Sequence, residues 1–303
     1  MSKEQIIKID GKELTVTNQD KIYWPDEHIT KGQVMEYYQK VYKYIGPYLK
    51  DRPQSLRRNP NGINDAGFFH KDVGDIAPSW MKTQKINSEA AGKKIDYLIC
   101  NDRASLAFMN NLGCIEINPW NSKLGSINKP DYLIMDIDPS EKSTFGEVID
   151  TALVIKELFD KAGAKSYCKT SGSTGLHIYL PLNAHYTYVQ IRSFAKGFAS
   201  LVQEQLPRTT TIERPLNKRK GRIYIDYLQN RKGQTLACAY SLRPKPGATV
   251  SAPLEWSEVK HGLQISKFDM TNIIKRVEKK GDLFSGVLTG KTDLKKCSRN
   301  LGL

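Results

Sequence analysis

The sequence predicts a mixed α/β or α+β fold, arranged as one compact catalytic unit with two lobes. Three observations carry this. Short apolar runs with strand character are interleaved with long amphipathic segments that have their own caps. No internal repeat or low-complexity linker divides the chain. Its 303 residues suffice for one large domain or two modest ones with a sizeable core.

The elements follow in order. "IIKIDGKELTVT" reads as strand, Asp-Gly turn, strand. Thr30 is placed to cap a helix whose apolar positions Val34, Tyr37, Val41 and Ile45 fall at helical spacing, with Gly46-Pro47 ending or interrupting it. Residues 57–67 and 117–130 have loop chemistry. "DYLIMDID" is a strand stopped by Pro139. In the helix that follows, Thr144 and Glu147 have capping-box spacing, and Gly163 closes it. "SYCKT" and "LHIYLPL" are strands around the turn "SGSTG". A second long helix runs from about Thr187 to Leu206 and stops at Pro207; "GRIYIDYLQN" is a strand, "LRPKPGAT" a loop, and 267–280 a helix.

Composition excludes several classes. Hydrophobic content of 39% and charged content of 26% fit a globular chain rather than a disordered one. No apolar stretch reaches the about 18 residues of a membrane span, and the N-terminus lacks the apolar core of a signal peptide. Five scattered cysteines without a C-x-x-C point to a reducing cytoplasm, not to a disulfide framework or a zinc site. The net charge of +14 points to a polyanionic partner, nucleic acid or nucleotide, although a merely basic enzyme would show it too.

Three stretches can carry chemistry. Asp136 and Asp138 end the strand "YLIMDID"; side chains at i and i+2 share a face, so the two carboxylates stand together. A divalent cation would neutralise them; a solvated strand end with an Asx turn before Pro139 is the plainer reading. In "TSGSTGLH", Gly172 and Gly175 permit a tight turn, Ser171, Ser173 and Thr174 add hydroxyls, and backbone N–H groups can form an anion-binding nest. His177 can donate to a phosphate or shuttle a proton; a glycine-rich hairpin with a structural histidine is the alternative. In "NKRKGRIYIDYLQN", Asp226 is the one acid of an apolar strand and needs a partner. The run Lys218, Arg219, Lys220, Arg222 before it is a phosphate-attracting patch or only a solvated face. Together the three describe phosphoryl transfer with divalent metals, in which a 3′-hydroxyl attacks a nucleoside triphosphate.

The set "MDIDP", "TSGSTGLHIYLPL", "IYIDYLQN" and "AYSLR" resembles the polymerase domain of bacterial ligase D, in the archaeo-eukaryotic primase, or primase-polymerase, superfamily. The resemblance extends in order through "LTVTNQDKIYWPDEHITKGQVMEYY", "GFFHKDVGDIAPSWM" and "IEINPW", nearly the whole chain. It implies a two-lobed core with an RRM-like sheet bearing the metal carboxylates Asp136, Asp138 and Asp226. It implies two divalent cations, manganese preferred and magnesium possible. Ser171, Gly172, Thr174, His177, Arg219, Gln229, Arg243, Arg57 and Asn118 then fall at nucleotide-binding positions. Asn18, Lys21 and Lys31 match a pocket for the 5′-phosphate of a downstream strand, and Phe68 and Phe69 an aromatic pair at the template. The implied function is templated addition of ribo- or deoxyribonucleotides at gaps or broken ends in nonhomologous end joining. The implied partners are DNA with gaps or 3′ overhangs, NTP or dNTP, Ku, and a DNA ligase in cis or in trans.

Two positions depart from the pattern. Asn118 stands where many relatives have His, and Thr174 where some have Lys; both lose a cationic contact to the triphosphate. The expected organisation is a single domain, 1–303, with a hairpin and helix at 1–50 carrying the 5′-phosphate pocket, a core at 51–260 and a helical tail at 261–303. With no K-x-D-G ligase motif, either a stand-alone polymerase or a piece of a longer ligase is expected. A cytoplasmic, nucleoid-associated location without membrane contact is expected. A de novo primase and a non-catalytic end-bridging module are the competing readings.

Overall fold

The computed structural model describes residues 4–88 and 91–303. The chain divides into two compact units, each assembled from three segments. The first comprises Met1–Gly125, Thr235–Ser251 and Phe268–Glu278; the second comprises Ser126–Gln234, Ala252–Lys267 and Lys279–Leu303.

The first unit opens with an antiparallel hairpin, β1 (Glu4–Ile9) and β2 (Lys12–Thr17). Its turn residues Asp10 and Gly11 both have positive φ, which is why Asp-Gly is favoured there. β3 (Ile22–Trp24) and β4 (Ile29–Thr30) lead into α1 (Lys31–Leu49). Thr30 accepts from Gln33 N and the Gln33 side chain returns to Thr30 N, closing a capping box. Val34, Tyr37, Val41 and Ile45 are all buried, each worth about 1.5–3 kcal/mol for the larger side chains. Pro47 neither ends nor breaks α1. The proline removes one backbone bond, yet the helix runs on to Leu49, and Lys50 N–H donates to the Gly46 carbonyl.

β5 (Leu56–Arg58), β6 (Phe68–His70) and β9 (Cys114–Glu116) form a three-stranded sheet with β5 central. The stretch 57–67 therefore begins as strand, not loop. β7 (Thr83–Ser88) and β8 (Lys93–Leu98) make a second hairpin, and α2 (Arg103–Asn111) packs on α1. Segment 235–251 is tied to α1 by hydrogen bonds: Tyr37 Oη donates to the Tyr240 carbonyl, and Tyr38 Oη accepts from Leu242 N–H.

The second unit is built on β10 (Tyr132–Asp138), α3 (Phe145–Lys161), β11 (Tyr167–Thr170), β12 (Leu176–Pro181), α4 (Tyr188–Gln205), β13 (Thr210–Thr211), α5 (Leu216–Arg219), β14 (Ile223–Asp226) and β15 (Pro253–Leu254). The sheet order is β13-β14-β10-β12-β11-β15. Its core is a βαββαβ unit with antiparallel strands ordered 4-1-3-2, the RRM-like arrangement. Thr144 with Glu147 and Thr187 with Gln190 close capping boxes on α3 and α4. Phe159 of α3 stacks on Phe198 of α4 with ring centroids 4.1 Å apart.

Two further expectations need correction. "GRIYIDYLQN" is strand only to Asp226; Tyr227–Asn230 turn into a 3-10 helix. Asp226 accepts from Leu228 N–H and so caps that turn, while Asn230 takes over the pairing with β10, bonding both N–H and C=O of Ile134. In 267–280 only α6 (Ile273–Lys280) is α-helical. Asp269 ahead of it accepts from Thr271 N–H and Asn272 N–H and starts the helix late. α7 (Gly286–Thr289) and α8 (Leu294–Leu301) complete the chain. All five cysteines are buried thiols, and burial pushes those of Cys114 and Cys168 up to about 12.

Candidate active site

The carboxylates gather because of register. β10 is buried from Tyr132 to Ile137, and its centre is apolar until Asp136. Asp136 lies opposite His177 of β12 on one side and opposite Asp226 of β14 on the other. Directly opposed residues share a face, as do Asp136 and Asp138, so all three carboxylates project from one face of the sheet. Gln229 Nε2 reaches Oδ2 of both Asp136 (3.5 Å) and Asp226 (3.2 Å). Tyr224 Oη donates to Asp226 Oδ1 at 3.1 Å. Burial first, and then the charge of Asp138, hold the Asp226 carboxyl above the usual range despite these bonds.

Positive groups frame the carboxylates. Arg219 Nη1 donates to Asp138 Oδ2 at 2.8 Å, Nε donates to the Arg214 carbonyl, and the guanidinium lies 4.3 Å from the Tyr224 ring centroid. His177 Nε2 is 3.3 Å from Asp136 Oδ1. The basic run before Asp226 thus supplies one residue, Arg219, to the carboxylates.

The S-G-S-T-G turn is pinned under the same strand. Ser171 Oγ accepts from both Ser173 N–H and Gly175 N–H at 3.0 Å. Those two N–H groups are spent inside the turn, so the expected anion nest is narrower than the sequence suggests. Gly172 has φ 69°, and a Cβ on Gly175 would sit 2.1 Å from the Ile137 carbonyl oxygen. Thr174 is exposed at the tip and lines a cavity of about 420 Å³ with Pro139, Ser140 and Ser173.

In the first unit, Arg57 and Arg243 converge on one oxygen. Glu116 Oε2 accepts from Arg57 Nη1 at 3.0 Å and from Arg243 Nε at 2.9 Å. Asn118 is buried; its backbone carbonyl takes Ser55 N–H and its side-chain amide donates to the Glu116 carbonyl at 3.4 Å. Phe68 and Phe69 are 49% and 60% exposed, on opposite faces of β6, with Arg58 lying 5.4 Å from the Phe68 ring.

The three 5′-phosphate candidates also meet in this unit. Asn18 has φ 53°, and its carbonyl takes Lys21 N–H, while the Lys21 carbonyl takes Lys31 N–H. Lys21 Nζ donates to Asn61 Oδ1. Lys31 is buried, and Nζ donates to the Thr17 carbonyl (2.7 Å) and Asn111 Oδ1 (2.8 Å). Burial, then Lys21 and Arg58, pull its pKa down to about 8. Lys31 is therefore the floor of this cationic cluster rather than its rim.

A family model described as the LigD primase-polymerase domain matches residues 30–284. The chain belongs to the LigD primase-polymerase family. It is 31% identical over 269 residues to the bifunctional non-homologous end joining protein LigD of Bacillus subtilis, covering 88% of this chain and 43% of that protein. It is 29% identical to the multifunctional LigD of Mycolicibacterium smegmatis, covering 89% of this chain and 35% of the relative. The chain thus spans less than half the length of these relatives. Among solved structures it resembles the polymerase domain of Mycobacterium tuberculosis ligase D in complex with DNA, with TM-score 0.83 and 26% identity over 92% of this chain and 99% of that one.

For this LigD-family site a divalent ion is implied, and the donor set fits one. Three carboxylates on one sheet face are hard oxygen ligands suited to magnesium or manganese. The Asp226 carboxyl is raised by burial first and by the neighbouring Asp138 charge second, and a cation held at this face would offset both. Among the described residues no three His, Cys, Asp or Glu side chains are already drawn together as a cage. Asp138 is instead turned to Arg219, and Asp136 has His177 beside it.

Sequence reasoning missed Glu116 and Lys169. Glu116 had the signal used for Asp226, a lone acid inside the apolar stretch "CIEI". Lys169 had the converse signal, a lone lysine in a strand that the turn folds onto His177. No helix of the described chain is long and apolar enough to cross a membrane.

Proposed function

We propose that the chain is a template-directed nucleotidyltransferase that adds ribo- or deoxyribonucleotides at gaps or broken DNA ends in nonhomologous end joining. The observation that carries this is the placement of Asp136, Asp138 and Asp226 on one sheet face beside the S-G-S-T-G turn. Asp136, Asp138 and Asp226 would hold two divalent cations, manganese preferred and magnesium possible. When bound, these ions would lower the pKa of the primer 3′-hydroxyl and offset charge on the leaving pyrophosphate.

The remaining work falls to the chain's own groups. Arg219 is held over the Tyr224 ring and bonded to Asp138, which restricts its fork beside the carboxylates, where a phosphate oxygen would sit. His177 presents Nε2 at the edge of the carboxylates. Gln229 bridges Asp136 and Asp226 and keeps them in register. Arg57 and Arg243 serve the nucleotide, aligned by Glu116. Lys21, Lys31 and Asn18 receive a 5′-phosphate, and the exposed Phe68 and Phe69 stack on bases. DNA, NTP or dNTP, Ku and a DNA ligase are the partners of this reading, in the cytoplasm at the nucleoid.

The test is primer extension on a gapped duplex bearing a 5′-phosphate, comparing ribo- with deoxyribonucleotides and manganese with magnesium. Templated addition is expected. Asp136→Ala should lower it by more than about 100-fold, as losing a charge-stabilising group does, while DNA binding in a gel shift persists. Extension by Asp136→Ala at the wild-type rate refutes the assignment. Robust primer-free synthesis would move the protein to the primases, against which the cationic cluster at Lys21 and Lys31 argues. Binding without addition would leave an end-bridging module.

A further inference from the structure

One row of side chains crosses four strands of the second unit. Lys169 of β11 is opposite His177 of β12, His177 is opposite Asp136 of β10, and Asp136 is opposite Asp226 of β14. Opposed residues share a face, and neighbouring strands are about 4.8 Å apart, so the four form a continuous line. Three have roles in the reading above. Lys169 has none.

Lys169 is fully buried at the far end of that line. Its Nζ is 2.7 Å from His177 Nδ1 and 5.6 Å from the Tyr179 ring centroid. Tyr179, two residues on from His177, shares its face. A lysine is rarely buried without a task for its charge. Here the ammonium lies against an aromatic ring and one imidazole nitrogen.

The chemistry of the pair has a direction. An ammonium has three donors and no acceptor, so Nδ1 must accept. A ring nitrogen that accepts carries no proton, so the ring proton is on Nε2. Nε2 is the atom 3.3 Å from Asp136 Oδ1. We propose that Lys169 is a positioning residue that locks His177 as its Nε2–H tautomer, making that histidine a one-way donor toward Asp136 and the nucleotide. This rests on the polymerase reading for its consequence, but not for the tautomer itself. In this tautomer the hydrogen that His177 offers toward the carboxylates is the one on Nε2. A second partner that fixes which nitrogen is protonated is the usual way a functional imidazole is oriented.

The test reads the tautomer directly. Two-bond proton–nitrogen correlations on protein labelled with nitrogen-15 histidine contain five imidazoles, since the chain has five histidines. The His177 signals are identified by their loss in His177→Gln. The wild-type protein should show His177 with its proton on Nε2 alone, and Lys169→Met should replace this with a mixture of tautomers. In primer extension, Lys169→Met should raise the KM for nucleotide by about 10-fold or more with a smaller change in kcat. In a double-mutant cycle, Lys169→Met should add nothing to His177→Gln. Lys169→Arg, which keeps a donor, should retain the tautomer. A wild-type His177 protonated on Nδ1 overturns the proposal, as do an unchanged pattern in Lys169→Met and additive effects in the cycle. The wild-type spectrum decides the tautomer even if Lys169→Met does not fold. A protein that never extends primers would sink the polymerase reading and leave the spectrum standing.

Discussion

Replacing Glu116 should expose how much of the first unit depends on one carboxylate oxygen. Oε2 accepts both arginine bonds, and the Glu116 side chain is 7% exposed against 33% for Arg57 and 15% for Arg243. Glu116→Ala leaves two guanidinium donors aimed at a hole, one of them well buried, so the loss should approach the about 3–5 kcal/mol of breaking a buried ion pair. Glu116→Gln can still offer a neutral carbonyl oxygen to both. Charge-assisted bonds are roughly twice as strong as neutral ones, so its loss should be about 1–3 kcal/mol. Arg57→Ala leaves Glu116 paired with Arg243 and removes a partly solvated group, so about 1 kcal/mol or less should be lost. Urea unfolding of the three variants measures the series. An Arg57→Ala protein as unstable as Glu116→Ala, or a Glu116→Gln protein indistinguishable from wild type, would refute the reasoning.

Lys31 predicts a pH effect. Its pKa is lowered to about 8, so it sheds its charge as pH rises through that value, well before an exposed lysine. The unfolded chain keeps that proton to about 10.4, so this residue's burial becomes less destabilising between about 8 and 10.4. The affinity gained from a 5′-phosphate should fall across the same onset. Titration of phosphorylated against unphosphorylated gaps at pH 7 and 9 checks this, and Lys31→Met should abolish the difference. Gly175→Ala drives a Cβ to 2.1 Å from the Ile137 carbonyl between Asp136 and Asp138. Because backbone cannot yield cheaply, about 1–3 kcal/mol of stability and most nucleotide addition should be lost, seen in a thermal melt and in extension. Phe68→Ala and Phe69→Ala should change stability by less than about 0.5 kcal/mol, since both rings are exposed, yet weaken template binding by about 1–3 kcal/mol for each base they stack on. Equal losses in melting and binding would make them core residues instead.

Local chemistry was legible from the residues. The N-cap at Thr30, the capping box at Thr144 and the hairpin at Asp10-Gly11 depend on neighbours within four positions, so their spacing shows them directly. Alternation likewise places Asp136 and Asp138 on one face. Less legible were endings decided by distant partners. Pro47 costs α1 only one backbone bond, and the burial of Tyr48 and Leu49 beyond it favours going on. "IYIDYLQN" stops being strand at Asp226 because Asn230 bonds the backbone of Ile134, 96 positions away, in place of a strand residue.

The sequence by itself determined the kinds of group present and their local geometry: three aspartates in strand contexts, a Gly-Ser turn, a basic surplus and a family likeness. Only the tertiary structure decided which groups meet. Strand register set Lys169, His177, Asp136 and Asp226 in one row, while the placement of two helices turned Arg219 of α5 onto Asp138 and buried Lys31 at the start of α1. The reason is physical. Periodicity specifies the face on which a side chain lies, but which residue lies opposite is set by pairing between segments far apart in the chain, and no short-range spacing encodes it.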